Sequence, residues 1–281
     1  QYGPVYRFEA KLDPGRFREF WQLDFDTVGT ADVATDAESC MILSDALEAI
    51  GLSRNSYLVK VNNRKILSGF LESLGIQGEA NEANVLRIID KIDKVGVQGI
   101  TAELGEGRKD SSGAFIPGLG IEKSVVEGIA GYFERFTEDR GRAEILAELE
   151  GLGGANEKFA EGLAELKKID MLLSSAGFDE NRVLFSPSIV RGLGYYTGPV
   201  YEVESLLTFE DSKGNTRKVG SICGGGRYDG LVERLLGIKV PAAGASIGVD
   251  RLCELLVLSG NSDVKSKSSV LVTVFDDELM G

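Results

Sequence analysis

Histidine is missing from all 281 residues. That absence excludes Ser-His-Asp triads, Cys-His nucleophile pairs and histidine-ligated zinc, and it leaves acid–base work near neutrality to carboxylates, lysine, tyrosine or the substrate. Cysteine is scarce too. Cys40, Cys223 and Cys253 are an odd number, widely spaced and without a Cys-x-x-Cys pair, so neither a disulfide framework nor a zinc ribbon is indicated. They read as small buried residues of a reducing compartment. No apolar run approaches the roughly 20 residues a membrane helix needs, and no basic-then-apolar signal segment opens the chain. Positive charge is in deficit, with 31 Lys plus Arg against 44 Asp plus Glu and a formal charge of −13. Such a chain does not coat nucleic acid non-specifically, although a local basic surface can still dock a particular RNA. With 43% hydrophobic residues interleaved among polar ones, it reads as a soluble globular chain of one or two domains with the cytosol as default compartment. Gln1 is no initiator, so the chain is expected to be a piece of a longer protein.

What is present falls into blocks. Residues 5–10 alternate in polarity, break at Asp13-Pro14-Gly15 and alternate again over 16–28, which predicts a long antiparallel hairpin with one charged face. Helical spacing follows over 32–50 with Gly51 as a stop, then a short strand at 57–61 and a helix over 65–74 closed by Gly75. Further helices are predicted over 85–95, 123–136, 142–149 and 157–174, the last with Phe159, Leu163, Leu166, Ile169 and Leu173 as its core face. Strands return at 188–190, 195–205 and 218–223, with a turn at 212–215 between the last two, whereas 226–236 and 246–258 read as helical. Residues 260–269 are linker-like and lead to an apolar strand at 269–275. The expected division is a core in two parts, 1–83 and 176–260, a helical insertion at 84–175, and a linker with the start of another domain at 261–281.

Four stretches put cations or glycines where a packed core would not want them. The hairpin carries Arg7, Glu9, Arg16, Arg18, Gln22, Asp24 and Asp26, and alternation places Gln22, Asp24 and Asp26 on one face. This is either a solvated sheet face with cross-strand salt bridges or a floor for a ligand with an anionic and a cationic part. Arg191-Gly192-Leu193-Gly194-Tyr195-Tyr196 joins close backbone approach to tyrosine walls, and it also reads as a glycine-rich corner with tyrosines in the core. Gly224-Gly225-Gly226-Arg227-Tyr228 before a helix suits an anion or nucleotide site, but it is neither a Walker loop nor a dinucleotide fingerprint. Gly244-Ala245-Ser246-Ile247-Gly248-Val249-Asp250-Arg251 is expected to open the last helix with small residues and to carry Arg251 within it.

In this order the four stretches closely resemble histidyl-tRNA synthetases, which are class II aminoacyl-tRNA synthetases. Residues 5–29 are similar to the motif 2 hairpin, 191–202 to the histidine-specific signature, 220–231 to the second histidine-family segment and 244–252 to motif 3. Residues 61–67 and 90–94 look like the connecting helices of that family. The resemblance implies an α+β fold: a class II synthetase-type antiparallel β-sheet flanked by helices, with an inserted helical subdomain. It also implies activation of histidine by ATP to histidyl-adenylate, transfer to tRNA(His), and a cytoplasmic homodimer. By the same match, Arg7 holds the α-phosphate and the histidine carboxylate, Glu9 the adenine edge, Arg16 the γ-phosphate and Phe20 the adenine face, while Arg251 flanks the nucleotide from the other side. Arg191 matches the family's catalytic arginine at the α-phosphate, which leaves Mg2+ chiefly to the β- and γ-phosphates. Gln22 takes the amino group, Asp26 an imidazole nitrogen, and Tyr196, with Tyr195 nearby, the ring. Gly194 departs from an acidic residue common in the family. Motif 1, the Thr-x-Glu-type loop and most of the anticodon-binding domain have no counterpart in the sequence. The alternative is the regulatory subunit of ATP phosphoribosyltransferase, a histidine-binding relative that usually loses the motif 2 arginines and lacks the insertion.

Overall fold

The computed structural model describes residues 1–8, 17–110, 112–153, 156–190, 195–210, 214 and 216–259. The hairpin forms as its alternation predicts: β1 (Tyr2–Tyr6) runs antiparallel to β2 (Glu19–Val28), with Val5 opposite Phe20 and Gly3 opposite Gln22. Its predicted turn lies outside the described residues. α1 (Ala34–Ala49) buries Ala37, Cys40, Leu43 and Leu47 along one side, and Gly51 ends it at φ 100°, a conformation that costs glycine little. β3 (Tyr57–Asn63) hands directly to α2 (Arg64–Ser73), whose first turn is capped by the Asn63 side chain accepting from the Lys65 N–H at 3.0 Å.

The helix expected over 85–95 is two helices, α3 (Glu79–Ile89) and α4 (Ile92–Leu104), the latter kinked at Gly96 with φ 69°. A small ribbon that the sequence pattern did not announce follows, β4 (Gly107–Lys109) with β5 (Phe115–Pro117). Next come α5 (Lys123–Arg135), α6 (Arg142–Leu152) and α7 (Glu157–Ser175). In α7 the five predicted apolar positions are all buried, and Asn156 caps it by accepting from the Phe159 N–H at 2.9 Å. The remaining elements are β6 (Val183–Phe185), β7 (Pro199–Ser205), the ribbon β8 (Thr208–Glu210) and β9 (Thr216–Lys218), β10 (Ser221–Arg227), α8 (Gly230–Leu236), β11 (Ala242–Gly248) and α9 (Val249–Leu258).

Seven strands make one sheet in the order β1-β2-β11-β10-β7-β3-β6, antiparallel at every pair except β3 with β6. Helix α1 lies across β3, β7, β10 and β11, and α7 packs on β3 and β7 beside α2. Leu43, Leu47, Val59, Val203 and Cys223 meet in that layer. Each such aliphatic contributes about 1.5–3 kcal/mol by leaving water.

Two expectations fail here for one reason. Gly224–Gly226 do precede a helix, α8, but they are not an open turn: they lie inside β10, with ladder partners on β7 and β11, so their amides are already used. Residues 242–248 are the central strand β11 and not the opening of a helix, which starts only at Val249. Strands built from glycine, alanine and serine lack the large alternating residues that mark a strand in a sequence. The short strand expected at 188–190 is likewise absent; the third strand of that region is β6. Cys40 and Cys223 are buried as expected, but Cys253 sits on an exposed side of α9. Among the described residues no helix is long and apolar enough to cross a membrane.

Candidate active site

The pleat divides the central strands into two faces. Residues 23 and 25 of β2, 243, 245 and 247 of β11, and 223 and 225 of β10 fall on the side covered by α1 and α9. Phe20, Gln22, Asp24 and Asp26 point the other way, level with Gly248, Ser246 and Gly244 on β11 and then with Gly224 and Gly226 on β10. On this second face four of the central positions are glycine, so the sheet surface is a trough flanked by the polar side chains of β2.

Close approach explains two of those glycines. A Cβ at Gly226 would stand 2.7 Å from Cδ1 of Tyr196 and 2.8 Å from the Pro199 carbonyl, and one at Gly244 would collide with the Asp26 carboxylate and the Phe25 carbonyl. Gly224 is different. A Cβ there meets nothing closer than the Tyr201 carbonyl at 3.9 Å and would hang in the open trough.

Above the trough a cleft of about 320 Å³ is lined by Arg7, Phe20, Gln22, Tyr196, Ser246 and Arg251, with Gly224 and Gly248 in its floor. The Arg7 guanidinium lies over the Phe20 ring, 5.0 Å from its centroid, and the Arg7 N–H donates to the Arg18 carbonyl at 2.8 Å. Arg251 reaches across from α9 and donates to the Ser221 carbonyl. Its neighbour Asp250 accepts from the Trp21 N–H at 2.6 Å, which ties the start of α9 to β2. Thus five of the predicted residues, drawn from three separated stretches of sequence, converge.

Four residues beyond Gln22 along β2, Asp26 accepts a hydrogen bond from the Tyr228 hydroxyl. The Tyr228 ring stacks on Tyr195 at 5.5 Å, and Tyr195 meets Tyr196 edge-on at 5.1 Å. The result is an aromatic slot with a carboxylate at its end. Burial, reinforced by Tyr195 and by the Asp26 charge, pushes the Tyr196 hydroxyl up to about 12, and burial with the hydrogen bond to Asp26 raises Tyr228 as well. Both therefore stay protonated donors through the neutral range. Glu9, Arg16, Arg191 and Gly194 lie outside the described residues.

Neither the role of Tyr228 nor that of Arg227 is visible in the sequence pattern. The Arg227 side chain is 2% exposed and pairs with fully buried Asp36 at 2.5 and 3.0 Å. It also donates to Thr30 O, Asp32 O and Thr35 Oγ1. Its own carbonyl accepts from the Thr197 N–H at 2.8 Å, so one residue fixes the start of α1 and the segment just after Tyr196. The only signal in the sequence was the adjacency of Arg227 and Tyr228, one pointing into the core and the next into the slot.

The family profile of histidyl-tRNA synthetase matches residues 2–252. The chain belongs to the histidyl-tRNA synthetase family. Among curated relatives it is 51% identical over 280 residues to the histidine–tRNA ligase of Paracoccus denitrificans (strain Pd 1222), an alignment covering 99% of this chain and 56% of that protein. It is 50% identical over 281 residues to that of Ruegeria sp. (strain TM1040), covering 99% and 55%. The crystal structure of histidyl-tRNA synthetase from Nostoc sp. PCC 7120 superposes with a TM-score of 0.73 at 30% identity, covering 100% of this chain and 59% of that one. The chain thus spans about half the length of the curated relatives it matches, and its mostly antiparallel sheet flanked by helices is the class II architecture expected of a histidyl-tRNA synthetase.

Proposed function

We propose that the protein is a histidine–tRNA ligase: it activates histidine with ATP to histidyl-adenylate and pyrophosphate, then transfers the histidyl group to tRNA(His). The observation that carries this reading is the convergence of Arg7, Phe20, Gln22, Tyr196 and Arg251 on one cleft whose volume is in the range of ligand pockets. Activation is an attack by an already ionised carboxylate on the α-phosphorus, so it needs anion-binding groups and no general base. Guanidinium groups meet that need because they stay charged and bind oxyanions in a fork. Arg7 and Arg251 flank the nucleotide end, with Glu9, Arg16 and Arg191 assigned to the adenine edge, the γ-phosphate and the α-phosphate. Phe20 offers a face to adenine, Gln22 an acceptor to the substrate amino group, and Asp26 with Tyr195 and Tyr196 the imidazole slot.

The absence of histidine from the chain does not oppose this chemistry. Among the described residues no three acidic or thiol side chains converge to ligate a metal. From the family resemblance, Mg2+ enters the reading as a companion of the β- and γ-phosphates, and no step is routed through it. A homodimer in the cytoplasm belongs to the same proposal, as does the division into a core at 1–83 and 176–260, an insertion at 84–175 and the start of an anticodon-binding domain at 261–281. Amino-acid-dependent exchange of pyrophosphate into ATP tests it on the complete protein. Exchange is expected with histidine alone among the standard amino acids and is abolished in a folded Arg191→Ala variant. Exchange driven by another amino acid, or full exchange in that variant, contradicts the reading.

A further inference from the structure

Between Gln22 and Asp26 stands a carboxylate with one buried oxygen that no described residue answers. Asp24 lies on the trough side of β2, opposite Ser246, with Gly224 next across the sheet. Its Oδ1 is buried and accepts no hydrogen bond among the described residues. The neighbouring acids of the site have donors: Asp26 accepts from Tyr228 and Asp250 from the Trp21 N–H. A buried carboxylate oxygen without a donor is costly, and proteins keep such groups where a ligand brings the donor.

We propose that Asp24 is a substrate-binding residue that accepts a charge-assisted hydrogen bond from the α-ammonium of the amino acid. This rests on the proposed function above. The ammonium is favoured over the ring because the ring end of the slot is already furnished: Asp26 is there, oriented by Tyr228 and walled by Tyr195. Asp24 stands one pleat repeat nearer to Gln22, roughly 7 Å along an extended strand, and Gln22 is neutral. A cation entering this trough needs a compensating anion, and on this face of β2 Asp24 is the carboxylate with a buried oxygen to which no described residue donates.

The test is the histidine-dependent exchange assay on the complete protein with Asp24→Asn, which keeps the shape and removes the charge. The KM for histidine is expected to rise about tenfold or more, with the KM for ATP changed less than about twofold. Two inhibitors locate the contact. Histidinol, which keeps the amine, should weaken by the same factor as histidine, whereas imidazolepropionate, which lacks it, should inhibit as before. The melting temperature of the ligand-free variant should match that of the wild type, because no described donor to the buried Oδ1 is lost. Equal weakening of both inhibitors would place the contact at the ring and overturn the proposal; so would an unchanged KM for histidine. If neither Asp24→Asn nor Asp24→Ser folds, Asp24 is a structural residue and the proposal also falls. A wild-type protein without histidine-dependent exchange would instead overturn the proposed function.

Discussion

The two faces of the central sheet share the same strands and differ in almost everything else. Toward α1, β10 and β11 present Cys223, Ala243, Ala245 and Ile247, buried against Cys40, Leu43 and Leu47. Burial lifts the Cys223 thiol to about 12, which keeps it a small apolar filler with no nucleophilic use. On the opposite side the same strands present Gly224, Gly226, Gly244 and Gly248, and β2 adds Gln22, Asp24 and Asp26. The first face gains stability from apolar contact. The second forgoes it, and what it holds instead is open volume and polar side chains. Stability and ligand binding are therefore separable on this sheet by the parity of the residue number within a strand.

Substitutions graded from core to trough sharpen that contrast. The largest effect is expected at Arg227, whose truncation leaves Asp36 buried without its cation. Arg227→Ala should lose about 3–5 kcal/mol in denaturant unfolding; a loss below ~1 kcal/mol would show that the pair does not anchor α1 to β10. Gly226→Ala is intermediate, since its Cβ would press on Tyr196 and on the Pro199 carbonyl. It should cost about 1–3 kcal/mol of stability, and it should raise the KM for histidine more than that for ATP because the displaced group is a wall of the slot. Equal changes in both constants would break the assignment of Tyr196 to the amino-acid end.

Much of this was legible before any coordinates. The hairpin was marked by alternation around Asp13-Pro14-Gly15, α1 by its spacing and Gly51, and α7 by five apolar residues on one side. Four ordered motifs were enough to reveal the family. What stayed hidden were the two strands that form the trough. β10 and β11 are central, but they are written in glycine, alanine and serine because tyrosine rings, carboxylates and neighbouring backbones approach them too closely for larger side chains. Sequence patterns detect strands by the bulk they bury, and these strands are defined by bulk they must omit. Tyr228 and Arg227 were obscured in the same way. A stretch taken for a helix-leading loop gave no reason to expect adjacent residues on opposite faces of a sheet. Asp24 was visible as a charge on the hairpin face, but only the register with Ser246 and the lack of a donor distinguish it from its neighbours.

Where packing does not demand glycine, the trough is kept bare for substrate and not for folding; Gly224, where an added side chain meets open space, tests this most directly. Gly224→Val introduces a residue favoured in strands, so its melting temperature should stay within about 3 °C of wild type. Histidine-dependent pyrophosphate exchange, measured on the same preparation, should be lost. A stable Gly224→Val protein that exchanges at the wild-type rate would contradict the account.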